Sequence, residues 1–157
     1  MNNKYDVIII GAGAAGMMSA IEAGKRGRKV LLVDHYKKIG EKIRISGGGR
    51  CNFTNINTDP SKFLSQNPKF IRSALSQYTQ HDFINFIKKY EIKFHEKKLG
   101  QLFCDHSAQQ IVEMLLKECE LANVTILKEF IIKNVGKEND QYIVSTETDK
   151  VILVVLT

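Results

Sequence analysis

Long hydrophobic runs are missing from this sequence of 157 residues. No stretch approaches the roughly 20 apolar residues of a membrane-spanning helix, and the longest apolar runs have the length of strands. The first residues, Met1 to Tyr5, lead directly into a predicted strand and carry no secretory signal. We therefore expect a cytoplasmic protein without a membrane partner.

Cysteine is scarce as well. Cys51, Cys104 and Cys119 form no C-x-x-C pair, and an odd number of thiols cannot all be paired, so a disulfide framework is disfavoured. Electron relay through a dithiol is disfavoured too, because no two of these residues are close in sequence. The four histidines share no spacing typical of metal ligands, and no metal site is predicted.

The net charge of +6 has two interpretations. One is a basic RNA-binding protein. The other is an ordinary solvated basic surface, with some groups directed at the phosphates of a dinucleotide. The second is favoured, because neither an aromatic RNA-binding strand nor a recognition-helix pattern accompanies the charge.

The most informative segment joins a predicted strand to a predicted helix. The apolar run Val7–Ile10 continues directly into G-x-G-x-x-G, with glycines at 11, 13 and 16. Gly11 permits the tight turn, Gly13 leaves room for a pyrophosphate to approach the backbone, and Gly16 lets the helix pack on the sheet. The N-terminus of the helix attracts phosphate through its unpaired N–H groups and its dipole.

A second apolar run, Val30–Val33, ends in Asp34. An acid at the end of the second strand of such a unit accepts hydrogen bonds from both ribose hydroxyls of an adenosine. The same carboxylate repels a 2′-phosphate, so NADP is disfavoured at this position. A glycine-rich turn in a helix–sheet contact is the structural alternative, but the strands and the acid all fall at the spacing that the motif requires.

The rest of the chain follows a mixed α/β pattern. Thr79 with Asp82 and Ser107 with Gln110 are typical of helix starts, and Phe83, Phe86 and Phe94 are interpreted as core residues. An apolar stripe of Ile111, Leu115, Cys119 and Ala122 predicts a buried helix face. The predicted elements are a strand over 4–10, a helix over 14–26, a strand over 29–34, a loop over 35–59, short helices from Pro60 and Pro68, a hairpin joining 92–96 to 101–104, and strands over 124–127, 130–135, 141–147 and 150–155, with a turn at 137–140.

The loop after Asp34 contains three consecutive glycines. Since glycine loses more backbone entropy on folding than any other residue, we interpret them as room for a planar or anionic ligand and not as a packing device. Lys42 and Arg50 add positive charge there, and Ser46 and Asn52 add hydrogen-bonding groups. Cys51 is interpreted first as a small buried thiol and only second as a redox group.

Residues 40–55 resemble the G-x-K-x-x-x-SGGGRCN-x-TN signature of the BaiN-type NAD(P)/FAD-dependent oxidoreductases, also called the aminoacetone-oxidase family of FAD-binding proteins. The resemblance implies an α/β Rossmann-like FAD-binding fold of the two-dinucleotide-binding-domain flavoproteins, with FAD held noncovalently and NAD(P)H as a reductant in the full-length family. It implies no catalytic residue and no particular substrate. The implied cofactor-binding residues are Gly11, Gly13, Ala14, Ala15, Gly16, Asp34, Lys42, Ser46, Gly47, Gly48, Arg50, Cys51, Asn52 and Ile132, the last of them at the adenine.

The sequence departs from that family in two respects. The G-R-x-F-P segment of the family is here Gly100-Gln101-Leu102-Phe103-Cys104, without its arginine and proline. The family is also about two and a half times as long. We therefore expect residues 1–157 to be the N-terminal part of an FAD-binding domain, incomplete at the C-terminus and without the substrate region and the closing segment. The expected function is that of an FAD-dependent oxidoreductase, with a non-catalytic dinucleotide-binding remnant as the alternative.

Overall fold

The computed structural model describes residues 4–138, 141–148 and 151–155. The chain divides into two compact units, of which unit 1 holds residues 1–42 and 112–157 and unit 2 holds residues 43–111. The helices are α1 Ala14–Lys25, α2 Glu41–Ile45, α3 Phe70–Gln77, α4 Gln80–Lys89 and α5 Gln109–Leu121. The strands are β1 Lys4–Tyr5, β2 Val7–Ile10, β3 Val30–Val33, β4 Asn52–Asn55, β5 Phe94–Glu96, β6 Gln101–Cys104, β7 Thr125–Leu127, β8 Ile132–Glu138, β9 Gln141–Thr146 and β10 Val151–Val155.

Unit 1 contains a parallel sheet in the order β2-β3-β7, with Val7 beside Val30 and Leu31 beside Thr125. All four residues of β3 are buried, as expected of a strand covered on both faces. Helix α1 follows β2 and packs on β2 and β3 through the buried side chains of Met17, Ala20 and Ile21. This β-α-β arrangement is the one that the glycine motif predicts.

A second sheet of unit 1 has the order β1-β10-β9-β8. The predicted single strand over 4–10 is therefore wrong in one respect, because the chain changes sheets at Asp6. The Asp6 carboxylate accepts a hydrogen bond from the N–H of Lys29 at 2.7 Å, and the Asp6 N–H donates to the Lys29 carbonyl at 2.9 Å. These two bonds fix the break between β1 and β2. The predicted turn at 137–140 is also wrong in part, since β8 continues through Glu138, and residues 139 and 140 lie outside the described ranges.

The apolar stripe of α5 is confirmed, because Ile111, Leu115, Cys119 and Ala122 are all buried. The same face also buries a charge that the stripe does not predict. Glu118 is only 2% exposed, and its carboxylate lies 3.0 Å from the Lys25 ammonium. A carboxylate at such a position requires a partner, and α1 supplies it from within the same unit.

Unit 2 contains an antiparallel sheet in the order β4-β6-β5, so the predicted hairpin between 92–96 and 101–104 is confirmed. The predicted loop over 35–59 is wrong as a single irregular segment. It contains α2, a 3₁₀ turn at Ser46–Gly49 and strand β4, which pairs with β6. Pairing with a strand about fifty positions away is not visible in a local pattern, and this explains the error.

Helix α4 begins as predicted. The Thr79 hydroxyl accepts a hydrogen bond from the Asp82 N–H at 3.2 Å, and the Asp82 carboxylate accepts one from the Thr79 N–H at 2.7 Å. The predicted helix start at Ser107 is confirmed as well, since α5 begins at Gln109, and the Ser107 hydroxyl accepts a hydrogen bond from the Gln109 N–H at 3.1 Å.

The core role predicted for Phe83, Phe86 and Phe94 is wrong. All three are half-buried, and the fully buried positions of α4 are Ile84 and Ile87. The phenylalanines instead form an aromatic row with Phe53, whose ring centroid lies 5.4 Å from that of Phe94 and 6.1 Å from that of Phe83. Offset and edge-to-face contacts of this kind suit a partly exposed helix–sheet junction.

Candidate nucleotide-binding site

The turn between β2 and α1 has the geometry that its glycines predict. Gly11 has φ +100°, in the region that favours glycine, and its N–H donates to the Val33 carbonyl at 2.8 Å. A Cβ on Gly16 would lie only 1.9 Å from the Gly11 carbonyl oxygen. Helix α1 therefore lies so close to the turn that position 16 has no room for a side chain.

Gly13 has a different role from the other two glycines. It is the N-cap of α1 in an extended conformation, and a Cβ built on it would meet no atom within 4 Å. The first turn of α1 contains no acidic residue, and no side chain caps it. The N–H groups of a first helical turn have no partners within the helix, so this end of α1 offers donors and a positive dipole to an anion.

Asp34 follows β3 and lies beside the glycine turn. Its Oδ2 accepts a hydrogen bond from the Ala12 N–H at 2.7 Å, and its Oδ1 accepts from the Tyr36 N–H at 2.9 Å. The Asp34 side chain is 11% exposed. Each carboxylate oxygen has a second acceptor position, so the group has capacity for ribose hydroxyls while it holds the two backbone amides.

A cleft of about 570 Å³ connects these elements within unit 1. Ile132, the predicted adenine contact, lies in it together with Gly11 and Asp34. Sequence reasoning missed five of its lining residues, of which four are apolar or aromatic and one is a histidine; they are Ile10, Val33, Phe130, Ile131 and His35. Ile10 and Ile131 are 60% and 56% exposed, so the cleft presents an apolar surface that a ligand can cover.

One hydrogen bond explains how Phe130 and Ile131 reach the cleft. The Phe130 N–H donates to the Asp34 carbonyl at 2.9 Å, so the chain after β7 passes directly beside the acid. The positions of Phe130 and Ile131 therefore depend on a contact between residues that are nearly a hundred positions apart in the sequence. The available signal was the apolar run that begins at Phe130, immediately before the predicted adenine contact.

The glycine-rich segment of unit 2 forms the 3₁₀ turn at 46–49. Gly47, Gly48 and Gly49 have φ of +57°, +66° and +83°. The interpretation that none of these glycines serves packing is wrong for Gly47, where a Cβ would lie 2.7 Å from the Phe103 ring and 2.9 Å from the Asn52 nitrogen. It stands for Gly48, where a Cβ would meet nothing within 4 Å.

The structure buries Cys51 directly after this turn. Its N–H donates to the Ser46 carbonyl at 3.0 Å, and burial raises the pKa of its thiol, against a smaller opposite effect of the Ser46 hydroxyl. A thiol held in its neutral form agrees with a packing role. The other predicted polar side chains, those of Lys42, Arg50 and Asn52, are exposed.

The described residues also bear on disulfides, metal binding and membrane insertion. All three cysteines are free and buried. Within ranges 4–138, 141–148 and 151–155, no three His, Cys, Asp or Glu side chains are grouped for a metal ion. A helix with the length and apolar character needed to cross a bilayer is likewise absent from these ranges.

A parallel β-α-β unit, a glycine turn at a helix N-terminus and an acid after the second strand define a Rossmann-type dinucleotide-binding protein. Residues 5–155 match the model of the HI0933-like protein Rossmann domain, and the chain belongs to this family. The match confirms the predicted Rossmann-like α/β fold.

Two curated relatives illustrate the family. A protein of Escherichia coli named ribosomal RNA dihydrouridine synthase is 57% identical over 135 residues, which cover 86% of this chain and 34% of the relative. A protein of Clostridium scindens named 3-dehydro-bile acid delta(4,6)-reductase is 31% identical over 121 residues, 75% of this chain and 29% of the relative. The chain thus spans about a third of the length of these relatives.

Solved structures show the same fold at low identity. The 3-ketosteroid-delta4-(5alpha)-dehydrogenase of Rhodococcus jostii matches 99% of this chain and 44% of its own, with a TM-score of 0.66 and 12% identity. The thioredoxin reductase of Streptococcus pyogenes matches 98% of this chain and 34% of its own, with a TM-score of 0.54 and 18% identity.

Proposed function

We propose that this chain binds the ADP half of FAD in the cleft of unit 1 and is the cofactor-holding part of a flavin-dependent oxidoreductase. The observation that supports this most directly is that Gly11, the Asp34 carboxylate and the apolar wall around Ile132 line one cleft, and that the open N-terminus of α1 begins two residues after Gly11. Phosphate, ribose and adenine need these three kinds of surface.

Each part of the cofactor has its own residues in this proposal. The N–H groups of the segment Gly13–Gly16 hold the pyrophosphate, and the turn at Gly11 and Ala12 brings them to the cleft. Asp34 accepts hydrogen bonds from the adenosine ribose. Ile132, with Ile10 and Ile131, covers the adenine. Contacts of Lys42, Ser46, Gly47, Gly48, Arg50, Cys51 and Asn52 with the rest of the cofactor stay predictions from the family signature.

FAD, when bound, supplies hydride or electron transfer, and the protein contributes placement and electrostatics. Both curated relatives have names that denote saturation of a carbon–carbon double bond, in a uracil base or in a steroid ring. We therefore propose a reductase of conjugated double bonds. The higher identity to the ribosomal RNA enzyme favours uridine in RNA as substrate over the narrower BaiN-type assignment, with NAD(P)H as the proposed reductant.

Cofactor binding is tested by titrating the purified chain with FAD and following flavin fluorescence. Gly13→Val places a branched side chain where the pyrophosphate would approach, and the extended backbone at position 13 accepts it without strain. Ser19→Val, on the exposed surface of the same helix, is the matched control. We expect Gly13→Val to weaken FAD binding by at least about tenfold, since hydrogen bonds to charged groups contribute about 1.5 to 3 kcal/mol each. Equal affinities of the two variants would contradict the proposed pyrophosphate site.

Competition by fragments tests the specificity for the ribose. AMP should displace FAD, whereas 2′,5′-ADP, which is AMP with a second phosphate on the 2′ oxygen, should displace it at least about tenfold less well, because that phosphate meets the Asp34 carboxylate. Bleaching of the bound flavin by NADH or NADPH would show reductase competence in the chain itself. Binding without bleaching would favour the non-catalytic alternative for this chain.

A further inference from the structure

We propose that unit 2 carries a binding surface for a single-stranded segment of RNA, centred on Phe63. This inference rests on the proposed function, since it assigns a place to the RNA substrate. The Phe63 surface is defined as Asn57, Lys62, Phe63, Arg72 and Leu99.

Two adjoining clefts of about 460 Å³ each share Phe63. One is also lined by Asn57, Lys62 and Leu99, and the other by Pro68, Arg72 and the acid Asp59. Phe63 thus shares one cleft with Lys62 and the other with Arg72, whose charge Asp59 partly offsets. Cations around an exposed aromatic ring are the arrangement on which nucleobases stack while their phosphates are neutralised.

Local structure fixes the backbone that carries Lys62 and Phe63. The Asp59 carboxylate accepts hydrogen bonds from the Ser61 N–H at 2.9 Å and the Ser61 hydroxyl at 2.6 Å, which begins the 3₁₀ turn Pro60–Lys62. The pKa of Asp59 is lowered by these hydrogen bonds and, to a smaller extent, by Lys62 and Arg72. Asp59 is the one acid among residues 57–79, against three basic residues.

The charge of the chain is concentrated in the same unit. Residues 43–111 contain ten Lys and Arg against five Asp and Glu, a net charge of +5 out of +6 for the whole chain. Unit 1, which carries the proposed FAD cleft, is therefore nearly neutral. Of the ten Lys and Arg residues of unit 2, only Arg50 is among those proposed to contact the cofactor, so most of this charge is left for another partner, and a polyanion fits it.

The exposed apolar groups decide between RNA and a purely electrostatic surface. Phe63 is 43% exposed, and Phe70, which begins the helix that carries Arg72, is 78% exposed. A charged surface that only keeps the protein in solution does not need exposed aromatic rings. An apolar surface that only packs against another protein does not need an excess of cations. Aromatic rings with interleaved cations suit unpaired bases, whose faces are free for stacking.

The test measures fluorescence anisotropy of a labelled, uridine-containing 12-nucleotide RNA with the whole chain, between 50 and 200 mM salt. Lys62→Gln with Arg72→Gln removes the two flanking cations. Arg28→Gln with Lys128→Gln removes the same charge from exposed positions of unit 1. Phe63→Ala removes the ring, and Phe63→Tyr retains it.

The Lys62/Arg72 variant should bind at least about tenfold more weakly at 100 mM salt and lose about 1.4 from its log–log salt slope, as expected for two phosphate contacts of a single strand. Phe63→Ala should lose at least about fivefold with an unchanged slope, because stacking is not ionic. Phe63→Tyr and the Arg28/Lys128 variant should stay within about twofold of the wild type. A duplex of the same sequence should compete poorly.

Three results would overturn the proposal: no binding of the RNA by the wild type, equal losses in the two charge variants, or no effect of Phe63→Ala. The first would assign the exposed surface to another segment of protein. FAD titration of each variant separates this inference from the proposed function. Intact FAD binding without RNA binding rejects the Phe63 surface alone, whereas RNA binding by a chain that takes up no FAD rejects the proposed cofactor.

Discussion

The carboxylate of Asp34 accepts a hydrogen bond from the backbone N–H of Ala12 at 2.7 Å, across 22 positions of sequence. The acid that is proposed to hold the ribose therefore also fixes the turn that is proposed to hold the pyrophosphate. This one hydrogen bond would thus set the position of the ribose-binding carboxylate relative to the pyrophosphate-binding turn.

Replacement of Asp34 should affect cofactor binding and the turn together. Asp34→Ala leaves the Ala12 and Tyr36 N–H groups without their carboxylate partner, so we expect at least about tenfold weaker FAD binding and a loss of about 1 to 3 kcal/mol in the free energy of unfolding. Asp34→Asn retains one carbonyl acceptor and should fall between Ala and the wild type. Calorimetric FAD titration and urea denaturation measure the two effects. Glu91→Gln, which removes one exposed acid from unit 2, is the control and should change neither.

The second and third glycines of the motif, Gly13 and Gly16, should differ in how much stability a methyl group costs. Gly16→Ala places its Cβ against the Gly11 carbonyl and should lower the free energy of unfolding by about 1 to 3 kcal/mol, as overpacking does. Gly13→Ala, at a position with open space, should lower it by no more than about 1 kcal/mol, the cost of a poorer N-cap. Thermal unfolding of both variants provides the measurement. A stable Gly16→Ala protein would show that the turn relaxes to accept a side chain.

The start of α4 gives a prediction about acid stability. Thr79→Val keeps the shape of the side chain, removes the hydroxyl that caps the helix, and should cost about 1 kcal/mol. The pKa of Asp82 is lowered, first by the Thr79 hydroxyl and then by the Thr79 backbone N–H. The stability that the ionised Asp82 carboxylate contributes is therefore present above the ordinary carboxyl pKa and is lost as the pH falls through the lowered pKa.

Wild type and Asp82→Asn should thus differ in stability at pH 7 and converge in strong acid. Urea denaturation across this range checks the expectation. Asp59→Asn is a useful comparison, since Asp59 also accepts hydrogen bonds at a helical start but caps only a single 3₁₀ turn. A pH-independent difference between wild type and Asp82→Asn would be the contrary result.

The buried thiols give the opposite pH dependence. Burial raises the pKa of Cys104 to about 12 and that of Cys119 to about 11. The two thiols therefore keep their protons to a higher pH in the folded chain than in the unfolded chain. The stability that results is present below pH 9 and is lost as the pH rises through the pKa values of the folded chain. We expect the free energy of unfolding to fall above pH 9, and less steeply in Cys104→Ala.

Alkylation by iodoacetamide at pH 8 provides an independent readout of the same burial. Cys104 and Cys119 should react fully in denaturant and very slowly in the native chain, because the reagent needs an accessible thiolate. Peptide mass spectrometry resolves the two sites. Rapid native labelling of either residue would show that its surroundings open on the timescale of the reaction.

The sequence was sufficient where local signals agree with each other. The predicted helix over 14–26 ends one residue beyond α1, and the β-α-β unit follows from glycines, apolar runs and an acid, which all lie within thirty positions. The capping box at Thr79 was readable for the same reason, since its two residues are three positions apart. In each case the physics that fixes the structure is short-range.

The errors arose where distant contacts decide the structure. Asp6 breaks a run that looks like a single strand because it bonds to Lys29, and Gly47 packs because Phe103 on β6 lies against it. Phe130 enters the nucleotide cleft through its hydrogen bond to the Asp34 carbonyl. Glu118 interrupts an apolar stripe because Lys25 on another helix is available to it. None of these partners can be assigned from one sequence by periodicity.

The change of sheet at Asp6 has a mechanical consequence. Tyr5 pairs with Val154 in one sheet of unit 1, and Val7, two positions later, pairs with Val30 in the other. A tension applied to the first strand is transmitted to both sheets through a single residue that is itself anchored on Lys29. The two sheets should consequently exchange their amide hydrogens as one cooperative block, because residues 4–7 connect them.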